Sequence, residues 1–244
     1  MNKRGQVSTY LILGFIFLII IILLFFLRQY YTEGVRQATI TEVATVPQQL
    51  ESVKEDIKTC ADNFLQDSIY YLAAKGGILN GKSIEFASYN ITYLIDNKKS
   101  LLPTTNGLTS QLTNFINDNL GIVCSGYENA ELGAVKSQVQ IKDKEILVTV
   151  NWPIKLSKGD ITGTIDQFSF GYNIRLGEMR NIVSQIVDSQ IKYYPSICLS
   201  CVAEIAVNNN ALVERYFSDN TQIFLVKDKG DNRLIYAYAV DYKK

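Results

Sequence analysis

The chain has 244 residues, 24 of them basic and 24 acidic, with four cysteines and no histidine. That length holds one anchor and one or two modest domains, and a net charge of zero without a polybasic block argues against a nucleic-acid partner. Without histidine, neither a Ser-His-Asp nor a Cys-His arrangement can be built.

Residues 1–5 read as a short cytoplasmic segment. From Gln6 to Leu27 there is no charged side chain, and from Leu11 onward nearly every residue is Leu, Ile or Phe. A helix of that length rises about 33 Å, against a hydrocarbon thickness of about 30 Å. Residues 6–27 are therefore expected to be a single-pass transmembrane helix contacting the lipid bilayer. The run ends Phe25-Phe26-Leu27-Arg28-Gln29-Tyr30, with no small residue for a signal peptidase, which favours a retained anchor over a cleaved signal. Lys3 and Arg4 on the short side favour a cytoplasmic N-terminus. The C-terminal domain is then extracytoplasmic.

Residues 28–46 are expected to be a stalk or linker, continuing the helix for a turn or two and then becoming a stalk or an edge strand, and 47–244 an extracytoplasmic α+β domain. Thr45-Val46-Pro47-Gln48 has the spacing of a capping box. After it, Leu50, Val53, Ile57, Cys60, Phe64 and Leu72 trace one helical face, closed by Gly76-Gly77. The stretch SIEFASYNITYLIDN reads as one or two strands. A second helix is predicted over Leu108 to Leu120, with Leu108, Leu112, Phe115 and Ile116 on its apolar face. The segments SQVQI, EILVTVNW, PIKL and ITGTIDQFSFGYNI then alternate as antiparallel strands joined by turns at Lys142–Lys144 and Ser157–Asp160. A third helix follows over Leu176 to Tyr193, with Met179, Val183, Ile186 and Val187 inward. The chain closes with a hairpin whose tip is Lys229-Gly230-Asp231. The fold class expected is α+β: an N-terminal transmembrane helix, then an antiparallel-sheet ectodomain with about three amphipathic helices.

The cysteines are the most informative polar residues. Cys60, Cys124, Cys198 and Cys201 all lie on the side expected outside, where disulfides persist. Four cysteines allow three pairings; Cys60–Cys124 and Cys198–Cys201 are favoured, with a buried free thiol as the alternative for Cys60. The Cys-x-x-Cys spacing of 198 and 201 also occurs in redox motifs and in half of many zinc sites. Zinc would need a second close pair, so no metal is expected. No cofactor or phosphate-binding glycine loop is read from the chain, and adjacent carboxylates such as Glu55-Asp56 point apart on a helix. Enzymatic activity is not expected. Asn90-Ile91-Thr92 is the one glycosylation sequon. Tyr70, Tyr71, Tyr93, Tyr193 and Tyr194 are expected to pack in the core or line a wall.

Lys3-Arg4-Gly5-Gln6 ahead of an apolar run resembles the class III signal segment of archaeal type IV pilin-like proteins. That resemblance covers about 27 residues and implies a peptidase cut between Gly5 and Gln6, with the following helix retained to build a filament. This chain has Tyr10 where those proteins often carry Glu, so the glutamate's role has no residue to fall on. Cys60, Gly76-Gly77 and Cys124 together resemble uncharacterised single-pass surface proteins of archaea, which implies a location and no activity.

The expected function is a membrane-anchored cell-surface protein with a non-catalytic binding or structural ectodomain. Its partner would be an envelope protein or a second copy of itself. The alternatives are a pilin-like filament subunit processed after Gly5 and an envelope thiol-redox factor using Cys198 and Cys201.

Overall fold

The computed structural model describes residues 41–87, 89–218 and 221–242. Gly5, Gln6 and the expected spanning helix at 6–27 lie outside the described residues.

Eleven strands and four α-helices are formed among the described residues. In chain order they are β1 (Thr41–Thr45), α1 (Glu51–Ala74), β2 (Ser83–Phe86), β3 (Tyr89–Asp96), β4 (Lys99–Ser100), α2 (Thr105–Val123), β5 (Ala130–Leu132), β6 (Lys136–Ile141), β7 (Ile146–Lys158), β8 (Ile161–Tyr172), α3 (Leu176–Tyr193), α4 (Leu199–Asn208), β9 (Ala211–Ser218), β10 (Thr221–Asp228) and β11 (Ile235–Asp241). The segment expected to be stalk or edge strand thus ends as an edge strand.

The fold-class expectation is corrected. The strands form two sheets, and one of them is mixed: β3 runs parallel to β11. A fourth helix, α4, forms beyond the three expected. No helix among the described residues is long and apolar enough to cross a membrane.

The first sheet runs β1-β8-β7-β5, with β6 also on β7, and every pairing in it is antiparallel. EILVTVNW and PIKL, read as separate strands, are one continuous β7. Pro153 has no N–H to give a ladder, so Trp152 and Pro153 bulge out between the pairs Asn151–Gln167 and Ile154–Ile165. Even-numbered residues from Ile146 to Leu156 all point inward, which leaves the opposite face to solvent. Trp152 is fully buried and its indole N–H donates to the Gly133 carbonyl at 3.1 Å.

The second sheet runs β2-β3-β11-β10-β9, with β4 on β3. Its central strands are apolar on both faces, so alternation disappears from their sequences. Phe224, Val226, Tyr236, Tyr238 and Val240 join the main core. Ile223, Ala237 and Ala239 face the other way, with Ile91 and Tyr93, and are packed by Ile84 and Phe86 of β2. Phe86 reaches Tyr216 on β9, ring centroids 5.3 Å apart.

Helices α2 and α3 bury the faces their spacing predicts, with a shift at Phe115 described below; on α1 the buried face is Ile57, Ala61, Leu65, Ile69 and Leu72, and Val53, Cys60 and Phe64, expected on it, are only half-buried. The capping box at Thr45 does not form. Thr45 is held in β1 opposite Thr164, and Pro47 instead opens a 3-10 turn over Gln48–Leu50. Backbone pairing to β8 has taken the residue that would have capped. At the other end of α1, Gly76 and Gly77 have φ of +66° and +77° and send their N–H groups to Ala73 and Leu72 carbonyls. A Cβ on Gly77 would sit 2.5 Å from the Tyr236 hydroxyl and 3.0 Å from Pro103. Gly77→Ala is therefore expected to cost about 2 kcal/mol, from the left-handed backbone and the overlap together. Denaturant unfolding measures this, and an unchanged midpoint would refute the close approach.

Candidate functional site

Helices α1 and α2 pack antiparallel, the late turns of α1 beside the early turns of α2, and the pair is locked at one end by a disulfide. Cys60 and Cys124 are bridged with Cα atoms 5.9 Å apart. On α1 the inward face is Ile57, Ala61, Leu65, Ile69 and Leu72; on α2 it is Leu108, Leu112, Ile116 and Leu120. Phe64 and Tyr71, two turns apart on α1, fall on the flank of that face, as does Phe115 on α2. Where the flanks meet, Phe115 stacks on Phe64 at 5.9 Å between centroids and lies 5.7 Å from Tyr71. Phe115, expected in the apolar core face, is only half-buried there.

A groove of about 590 Å³ opens beside these rings. Its walls are Tyr71 and the following turn at Leu79 and Asn80, faced by Ser110, Gln111, Asn114 and Asp118 along α2. A shallower concavity of about 310 Å³ lies beyond the rings and shares Tyr71 and Phe115. Two of the groove amides are fixed by the fold. Gln111 Oε1 accepts the Leu79 N–H at 3.2 Å, and Asn119 Nδ2 donates to the Phe115 carbonyl at 2.8 Å. Each holds one amide atom against the wall and leaves the other free. Asn80, Ser110, Asn114 and Asp118 are exposed and make no side-chain hydrogen bond among the described residues. Ser110 makes no hydrogen bond to a basic side chain among the described residues.

The sequence-predicted residues lie elsewhere. Cys198 and Cys201 are bridged, Cα atoms 5.2 Å apart, at the start of α4, with the Cys201 N–H donating to Cys198 Sγ at 3.3 Å. The four cysteines thus form two separate bridges, and no group of three or more metal-ligating side chains occurs among the described residues. Asn90 is exposed near the tip of the β2–β3 hairpin, while Thr92 of the same sequon is buried and bonds the Ile78 carbonyl. Of the tyrosines, Tyr93 is buried against Thr221, and Tyr70 donates to Asp231 under the Arg233 guanidinium. Tyr194 stacks on Tyr242, Tyr193 is exposed, and only Tyr71 lines the groove.

Gly76 to Ser83, GGILNGKS, does fit the spacing GxxxxGK[ST] of a phosphate loop. Its setting is the reverse of the one that binds phosphate, which is a strand leading into a helix N-terminus. Here the segment leaves the C-terminal end of α1 and enters β2. The N–H groups of Gly76, Gly77, Ile78 and Leu79 are already bonded within the protein, and Lys82 Nζ lies 5.1 Å from the Tyr93 ring centroid. The segment supplies two residues of the groove wall, Leu79 and Asn80, and its first four N–H groups are not free for an anion.

The groove residues escaped the sequence reading because Ser110, Asn114 and Asp118 recur every four residues on α2, the ordinary pattern of a solvated helix face. The signal that marks them is composition: that face carries one charge and is otherwise amide and hydroxyl.

No protein-family model, curated protein or solved structure matches the chain.

Proposed function

We propose that this is a cell-surface protein, held at the membrane through the apolar run 6–27, whose α+β unit binds a ligand in the α1–α2 groove without transforming it. The observation that carries the binding role is the groove itself: ordered aromatic rings beside amide, hydroxyl and carboxylate groups that the fold leaves unbonded. A 590 Å³ concavity has the size of a ligand site, and its lining is mainly polar. Two disulfides support an oxidising surroundings for this unit, and Asn90 is exposed where a glycan could be attached.

Cell fractionation tests the reading. The full chain is expected in the membrane pellet after a high-salt wash, with the folded unit removed by protease added to intact cells. A chain lacking residues 6–27 is expected to leave the pellet. Full-length protein in the soluble fraction would defeat the proposal. Lys3-Arg4-Gly5-Gln6 favours a second reading, a filament subunit processed after Gly5. Mass spectrometry of the same membrane material decides it: a start at Gln6 supports processing, and an intact Met1 excludes it.

A further inference from the structure

From the chemistry of the groove we infer that its ligand is a neutral carbohydrate, a short oligosaccharide of hexose or N-acetylhexosamine units; this rests on the reading of the groove as a binding site. A pyranose ring has an apolar C–H face and a rim of hydroxyls, each both donor and acceptor. Few other ligands need both an aromatic wall and a run of groups able to donate and accept at neighbouring positions. Tyr71 and Phe115 supply the first. Asn80, Asn114 and the free amide atoms of Gln111 and Asn119 supply the second, since a carboxamide offers a donor and an acceptor side by side to vicinal hydroxyls. Asp118 accepts from two hydroxyls at once.

The lining also excludes the main competitors. No Lys or Arg is among its ten residues and Asp118 is, so phosphate, nucleotide and acidic glycans meet a carboxylate in the lining, with Lys75 outside it, Nζ 5.6 Å from the Tyr71 ring centroid. The GxxxxGK[ST] match does not change this, because the N–H groups of Gly76 to Leu79 are bonded within the protein, the segment enters a strand rather than a helix, and Lys82 lies against Tyr93. An acyl chain is poorly served, because seven of the ten residues carry a polar atom on the side chain.

Full-length protein in a zwitterionic detergent, free of sugar headgroups, is probed with an array of neutral hexose and N-acetylhexosamine oligosaccharides. Retention of one or more is expected, weakened at least about tenfold by Tyr71→Ala and by Asn114→Leu. Leu212→Asp, on exposed β9 outside the groove, should leave it unchanged. Tyr71 and Asn114 are both exposed, so neither variant threatens the fold. The inference is overturned if folded protein retains no neutral glycan, retains only acidic ones, or binds equally well without Tyr71 and Asn114. Ligand-observed NMR with aromatic and amide fragments on the same preparation separates the two levels of the argument. Fragments lost on Tyr71→Ala with no glycan bound would retire the carbohydrate and keep the binding groove; no ligand of either kind would retire both.

Discussion

Replacing Cys60 and Cys124 together by alanine is expected to lower unfolding stability by about 4 kcal/mol, the loop-closure value for a cross-link of this span. The bridge joins residues 64 apart and encloses more than half of α1, the strands β2 to β4 and all of α2. Without it, the unfolded chain regains the freedom of that whole loop. Cys124 is buried and small, so alanine leaves little cavity and the entropic term dominates. For a folded unit near 200 residues the melting temperature should fall by about 10 °C. The Cys198–Cys201 bridge spans only three residues, and its double alanine variant should cost about 1–2 kcal/mol by the same relation. Urea titration of both variants checks the order. Equal losses would mean that native-state geometry, not loop length, sets their worth. Because the long bridge also fixes α1 against α2, its loss should loosen the groove before the rest of the fold, visible as faster amide exchange around Phe115.

That groove shows where a sequence stops being readable. Leu108, Leu112, Ile116 and Leu120 announce a helix and its inward face, because burial against β6 demands that spacing. Even-numbered inward residues from Ile146 to Leu156 announce β7 for the same reason. Both signals are local. The parallel pairing of Tyr93 and Ile95 with Ala239 and Val240 is not, since nothing near either strand records a partner so far away along the chain. In α4 the Cys-x-x-Cys spacing drew attention to chemistry and away from Val202 and Ala206, the buried face of a ten-residue helix too short to establish a period. Thr45 looked like a cap and became a strand residue, because an available edge on β8 outweighs one side-chain hydrogen bond. The recognition groups were hardest to see: Asn80 and Asn114 sit on different elements, and only packing makes them neighbours of one space.

Asp228→Ala is expected to cost about 3 kcal/mol, the lower end for breaking a buried ion pair. Asp228 is 2% exposed and accepts from Arg175 Nη1 at 2.6 Å and from the Gly230 N–H at 3.1 Å. Arg175 also grips Glu178 through two bonds of 2.8 and 2.9 Å and reaches the Asn209 carbonyl. One guanidinium thus ties the start of α3, the end of α4 and the end of β10. Alanine leaves the Arg175 charge without its buried partner, and Arg175 is 21% exposed, so water recovers part of the loss. Replacing Arg175 and Asp228 together by leucine removes both charges and should fall within about 1 kcal/mol of the parent; Glu178, at 28% exposed, can be hydrated. Equilibrium unfolding of the single and double variants makes the comparison. A double variant as unstable as Asp228→Ala would show that the hydrogen bonds, and not the stranded charge, carry the cost. The same cluster sets an acid limit. The hydrogen bond from Arg175 holds the Glu178 carboxyl below its usual range, and Lys54 does the same for Glu42. A depressed carboxyl contributes stability above the ordinary glutamate value of about 4.3 and loses it as pH falls through the lower folded value. Stability should therefore decline below about pH 4, and less steeply in Glu178→Gln, where that proton is no longer taken up on unfolding.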